Sequence, residues 1–262
     1  MTGSLAIIGL GPGAEEAQTP QARDALARAT DVFGYTTYLD RVPVRAGQLR
    51  HGSDNREEVA RARAALELAY TGKSAAIVSS GDPGVFAMAA AVFEAIEFGD
   101  PAWRVIDVTV VPGISAMFAA AARIGAPLGH DFCAISLSDN LKPWETVTRR
   151  LRLAAEADFV IALYNPISKA RPWQLGAALD LLRAVRPPAT PVIFATAISR
   201  PEETVVVTDL AGADPARADM RTLVLIGSSA TRRIDRGDGD PWIYTPRRSD
   251  LGDTAPQTKA AG

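Results

Sequence analysis

Four short turns carry most of the chemistry that this sequence offers. They read GLGPG at residues 9–13, SSGDPGVF at 79–86, VPGISA at 111–116 and ALYNPIS at 162–168. Each follows an apolar run, and in open α/β sheets ligands gather beyond the carboxyl ends of strands. Glycine lets a backbone come close to a ligand, and an acid such as Asp82 can serve a hydroxyl or a cation. Each turn also has a plain reading, since Asp-Pro-Gly is a common turn and Tyr-Asn-Pro a common corner. None of the four contains lysine or arginine. Together they suit a ligand of modest or positive charge, held by backbone groups and apolar walls. A sulfonium such as S-adenosylmethionine fits that description.

The first turn resembles a pyrophosphate loop and departs from it at several points. Ala14 stands where the dinucleotide fingerprint needs its third glycine, and Gly13 comes one position early. Pro12 removes a backbone donor, and Glu15 and Glu16 would repel phosphate. Gly34, not an acid, ends the second strand, and no G-K-[ST] follows to make a P-loop. A nicotinamide oxidoreductase or other nucleotide-binding protein is therefore the weaker alternative. A tight turn that only reverses the chain stays open for this motif taken alone.

Groups that can move protons are few. Asp82, His130 in LGHDF and Ser138 in ISLSD are the catalytic candidates, each with a plain role as turn cap, loop residue or helix cap. His51, Ser136 and Asp139 are lesser ones, and Cys133 alternates with strand residues as a small core side chain. Arg171 and Arg200 each follow a strand-end turn, which makes them the best carboxylate ligands in the chain. The run RRLR at 149–152 reads as a solvated helix face. No metal site is expected.

Positioning these residues falls to alternating strands and helices. Strands are expected at 5–9, 31–35, 74–80 and 105–111, then at 132–138, 158–165, 190–196, 203–210 and 221–229. Helices are expected at 19–30, capped by Thr19 with Pro20 first, at 55–72 with Gly72 as the stop, and at 86–98. Further helices follow PGISA, start near Pro143 over 142–157, and cover 171–185. This β-α rhythm implies an α/β protein with largely parallel sheets and an antiparallel edge after Pro201. The chain has 262 residues, enough for two α/β domains, taken as 1–114 and 115–245 with a polar disordered tail at 246–262. Net charge is −2, which argues against nucleic acid, and one cysteine fits a reducing cytoplasm. There is no 18-residue apolar run, so no membrane partner is expected.

The ordered set GLGPG, GDPGVF, VPGISA, ALYNP and the late LIGSS resembles the tetrapyrrole (precorrin) methylases. That resemblance covers nearly all of residues 3–245. It implies S-adenosylmethionine as cofactor, a tetrapyrrole substrate, a homodimer, and two α/β domains with the cofactor cleft between them. Residues 125–151, with YNPISKARPWQL and ISRPEE, are similar to members that methylate C-17 of a precorrin and contract its ring. A cobalt-containing substrate, or methylation elsewhere such as C-11, is the alternative within the family. Residue by residue, the resemblance implies cofactor contacts at Gly11, Pro12, Ser80, Gly81, Asp82, Val85, Phe86, Ser115, Ala116, Tyr164, Asn165, Thr196 and Ala197. Asn165 stands where relatives often have methionine, and Thr196 where they place glycine. Arg171 and Arg200 would meet the acetate and propionate arms of the substrate.

Overall fold

A computed structural model describes residues 2–54, 57–237 and 239–248. Most of the expected tail, 249–262, lies outside the described residues. The chain packs as two compact units, Met1–Ala119 with Ile198–Pro201, and Ala120–Ala197 with Glu202–Gly262.

The first unit contains β1 (Ser4–Gly9), α1 (Pro20–Arg28), β2 (Asp31–Tyr35), α2 (Thr36–Leu39), β3 (Leu49–Ser53), α3 (Glu58–Tyr70), β4 (Ser74–Ser79), α4 (Met88–Phe98) and β5 (Asp107–Val111). Helix α5 (Ala116–Ile124) contains the division between the units. The strands form a sheet in the order β3-β2-β4-β1-β5, with every neighbouring pair parallel. Its inner strands β2, β4 and β1 are largely buried on both faces, as a helix-covered parallel sheet requires. Leu5, Ile7 and Ile77 pack with α3 and α4, while Ile8, Val32 and Val78 pack with α1. Local signals hold where they were strong. Thr19 Oγ1 accepts from Ala22 N at 3.1 Å with Pro20 first in α1, and Gly72 takes φ 97° just past α3.

The second unit contains β6 (Gly125–Ala126), β7 (Phe132–Ser136), α6 (Trp144–Glu156), β8 (Val160–Tyr164), α7 (Gln174–Arg183), β9 (Pro191–Thr196), β10 (Thr204–Asp209), β11 (Thr222–Ile226), β12 (Arg232–Ile234) and β13 (Trp242–Tyr244). Its main sheet runs β10-β9-β11-β8-β7, and β12, β13 and β6 make a small second sheet. Val147 and Leu151 of α6, with Leu175 and Leu179 of α7, pack on Ile161, Phe194 and Val224 of the main sheet.

Several expectations need correction. Only β10 is an antiparallel edge; β11 is antiparallel too, but sits inside the sheet between β9 and β8. All five of its residues are buried, which an edge strand would not be. Helix α4 starts at Met88, because Phe86 has φ 51° and Ala87 is extended. Residues Pro101–Val105 form a 3-10 turn capped by Asp100, so β5 begins only at Asp107. Strands β3, β6, β12 and β13 and the short α2 have no counterpart among the expected elements, being brief and weakly periodic, and β6 replaces the end of the helix expected after PGISA.

Candidate cofactor and substrate site

Parallel pairing brings the ends of β4, β1 and β5 side by side, and three of the four sequence turns with them. They meet backbone to backbone. Gly11 and Gly81 form a two-way bridge, N to O at 3.2 and 2.9 Å, each in the left-handed region at φ 69° and 66°. A Cβ on Gly9 would lie 2.6 Å from Gly81 O and 2.7 Å from Gly113 N. One on Gly113 would lie 2.2 Å from Gly81 O. No side chain fits at Gly9 or Gly113, and Gly11 and Gly81 take a left-handed φ, which explains the glycines at all three loops.

Asp82 closes the junction. Its Oδ1 accepts from Gly84 N at 2.8 Å and its Oδ2 from Gly113 N at 3.1 Å, so the carboxylate ties the second loop to the third. Both oxygens are occupied by peptide donors. Arg41 ties the first loop to the second: Nη2 donates to Leu10 O at 3.3 Å and Gly11 O at 3.0 Å, and Nη1 to Ser80 Oγ at 3.1 Å. Burial and the nearby Arg200 charge bring the Arg41 guanidinium down to about 10, with Tyr38 opposing them. The same burial pushes the Tyr38 hydroxyl up, against the pull of Arg200 and Arg41.

This arrangement decides between a phosphate and a different ligand. The peptide donors of Gly11, Gly81 and Gly113 are spent on loop-to-loop bonds, Pro12 has none, and a carboxylate sits among them. The peptide groups of these loops offer little to a pyrophosphate. Half-exposed Phe86 and Ile114 instead offer apolar surface, with the hydroxyl of Ser80 on the same loops. Apolar surface suits an adenine and a thioether, and hydroxyls and peptide groups suit a ribose, so the residues present fit S-adenosylmethionine.

In the second unit, the ends of β7, β8 and β9 share one edge of the main sheet. Here side chains add to backbone ties such as Leu137 N to Tyr164 O at 2.9 Å. Asn165, at φ 51°, donates from Nδ2 to the buried Ser136 Oγ at 3.0 Å, and Ser138 N approaches the same oxygen at 3.3 Å. Thr196 Oγ1 is 2.8 Å from Thr222 Oγ1, and Ala197, also at φ 51°, donates its N–H to Arg221 O. Arg171 Nη1 donates to Asn165 O at 3.3 Å. Of five non-glycine residues at positive φ among the described residues, four (Phe86, Asn165, Ala197 and Ser199) stand in or beside these turns, where backbone strain marks functional loops.

Sequence reasoning missed two groups here. Gln174, 1% exposed, donates from Nε2 to both oxygens of Asp139 at 3.2 Å, and its Oε1 finds no partner among the described residues. Lys142 has its ammonium pushed down by burial and by Arg150 and Arg171, with Asp139 opposing. No motif announces either; only the packing of the start of α7 near Asp139 reveals them. His130 is not brought to this edge. It precedes β7, at the strand's amino end, with Nδ1 accepting from Asp131 N at 2.8 Å, whereas Ser136 and Ser138 lie at the carboxyl end. His51 pairs instead with Asp31 at 2.8 Å and stacks on Phe33. Among the described residues no group of three His, Cys, Asp or Glu side chains is placed to hold a metal, and no helix is long and apolar enough to cross a membrane.

Comparison with known proteins agrees with this geometry. The family described as Tetrapyrrole (Corrin/Porphyrin) Methylases matches residues 4–214. This chain belongs to the tetrapyrrole methylases. Among relatives of this methylase, the precorrin-3B C(17)-methyltransferase of a Sinorhizobium species is 60% identical over 94% of this chain and 97% of its own length. The cobalamin biosynthesis protein CobIJ of Mycobacterium bovis is 50% identical across the whole chain, which spans 51% of that protein. A crystal structure of the methyltransferase CobJ, 51% identical, covers 94% of this methylase and all of its own chain at a TM-score of 0.90.

Proposed function

We propose that this methylase transfers a methyl group from S-adenosylmethionine to C-17 of precorrin-3B and promotes contraction of the macrocycle to precorrin-4, in cobalamin biosynthesis. The observation that carries the reading is the 60% identity to the Sinorhizobium enzyme over nearly the full length of both chains. The glycine junction supports it by offering a close, phosphate-poor surface at the ends of β4, β1 and β5.

S-adenosylmethionine supplies an electrophilic methyl group when bound. The residues proposed to contact it are Gly11, Pro12, Ser80, Gly81, Asp82, Val85, Phe86, Ser115 and Ala116, with Tyr164, Asn165, Thr196 and Ala197 of the second unit. Asp82 and Arg41 hold the three loops at fixed spacing, so the surface is formed before any ligand arrives. For an electron-rich acceptor carbon, catalysis is then chiefly orientation, a contribution of up to about 7–11 kcal/mol. Ring contraction asks for proton movement as well. Ser138, at the carboxyl edge of the second sheet, is the hydroxyl proposed for it, with Arg171 and Arg200 binding carboxylate arms.

The methylase is further read as a cytoplasmic homodimer. In support, β5 is an edge strand, and an open hollow of about 500 Å³ beside it is lined by apolar side chains such as Phe93, Trp103 and Val108 together with the charged Glu97 and Arg104. Light scattering at micromolar concentration tests the dimer. The main test incubates the protein with precorrin-3B and methyl-labelled S-adenosylmethionine, then locates the label by carbon NMR. Label at C-17 of a contracted ring is expected. Label at another carbon, an intact ring, or calorimetric heat from NAD with none from S-adenosylhomocysteine overturns the reading.

A further inference from the structure

Two arginines share one stretch of backbone beyond β1. Arg41 donates to the carbonyls of Leu10 and Gly11, and Arg200 Nε donates to the next carbonyl, Pro12 O, at 3.4 Å. Gly13 makes room for the second arginine, since a Cβ there would lie 2.5 Å from Arg200 Cγ. Arg200 reaches this loop from the short Ile198–Pro201 segment that packs with the first unit. Both side chains are half-buried. The groups acting on Arg41 are Arg200 and Tyr38, and neither arginine forms an ion pair among the described residues.

Two like charges half out of water without a counter-ion are unfavourable unless an anion joins them. Donors remain for one. A guanidinium has five N–H groups; Arg41 uses three on the loops and Arg200 one. The free donors can take both oxygens of a carboxylate.

We infer that Arg41 and Arg200 together form a carboxylate-binding site against the first glycine loop. The inference rests on the proposed function, which supplies two carboxylate sources: an acetate or propionate arm of the macrocycle, and the methionine end of the methyl donor. Arg41 is then both a positioning residue for the loops and a ligand of the anion. Arg200 is the cleaner handle, because it is tied to the loop by a single long bond.

The test begins with the wild-type chain and needs no turnover. Arginines are modified with phenylglyoxal and mapped by mass spectrometry, alone and with S-adenosylhomocysteine, 5′-methylthioadenosine or uroporphyrin III. Protection of Arg200 by S-adenosylhomocysteine but not by methylthioadenosine, which lacks the carboxylate, assigns the donor as the source. Protection by uroporphyrin III assigns the macrocycle arm. Protection by none of them overturns the site, even where the protein methylates precorrin-3B. With Arg200→Gln, affinity for the protecting ligand falls about tenfold or more, the loss of a charged hydrogen bond. The effect falls on KM or Kd more than on kcat, and Arg200→Lys restores part of it. A lower melting temperature with unchanged affinities for all three probes also overturns the site. A wild-type protein that fails to methylate precorrin-3B but keeps the protection sinks the assigned reaction and leaves the carboxylate site standing.

Discussion

At the carboxyl edge of the first sheet the loops meet in a crowded glycine junction; at the corresponding edge of the second, side chains supplement the backbone ties. A Cβ on Gly9 or Gly113 would collide with the facing backbone, Gly81 takes a left-handed φ, and Asp82 and Arg41 lock the loops from outside. In the second unit Asn165 reaches Ser136, Thr196 reaches Thr222, and Gln174 reaches Asp139. A backbone junction makes a low, rigid surface that hardly tolerates change. Edges tied by side chains expose more varied groups and can be altered one contact at a time.

The sharpest way to break this contrast is Gly113→Ala. Its methyl would sit 2.2 Å from Gly81 O, so overpacking should cost about 3 kcal/mol in urea unfolding and weaken S-adenosylhomocysteine binding. Asp82→Asn comes next. It replaces a charged acceptor of two peptide donors, and should lose about 2 kcal/mol of loop stability with a weaker calorimetric Kd for S-adenosylhomocysteine. If either variant binds as the wild type does, the junction is not the cofactor surface.

The amino edge of the first sheet is held by side chains, and its behaviour is set by pH. Burial would raise the Asp31 carboxyl, but hydrogen bonds from His51 and Thr30 and the charge of Lys73 outweigh it and hold the group below its ordinary 3.8. The stabilisation is complete above that value and is lost as pH falls through the lower folded value. Asp31→Asn should therefore cost about 1 kcal/mol at pH 7, with the gap to wild type closing below pH about 4 in acid titration followed by circular dichroism.

Two substitutions in the second unit sharpen the contrast from the other side. Gly176 lies inside α7, where a Cβ would meet only Pro215 Cγ at 3.9 Å. Gly176→Ala should raise stability by about 0.5–1 kcal/mol, the opposite sign to Gly113→Ala. Asn165→Gly loses the bond to Ser136 but relieves a positive φ, for a net cost of about 0.5 kcal/mol by thermal melting.

Much of the first unit was legible because its signals are local. Thr19 with Pro20, Gly72 after α3 and the glycines at strand ends each act on residues a few positions away, so spacing alone predicts them. The second unit was harder. Strand β11 looks like any short apolar run, and nothing in its own residues says that it inserts antiparallel between β9 and β8. His130 illustrates the same limit. Its chemistry suggested catalysis, but it precedes β7 while the hydroxyls it would need follow it.

By itself, the sequence determined the alternation of strands and helices, the loops that must be glycine, and the poor fit of the first loop to a phosphate. Those follow from φ, from the proline's missing donor and from charge, all properties of neighbouring residues. Tertiary structure alone decided which loops meet and which cations gather. Arg200 and Pro12 are 188 positions apart, and Arg41 stands after no motif at all. Their meeting depends on strand order and on where Ile198–Pro201 packs, and these are set by the burial of the whole core rather than by any short stretch.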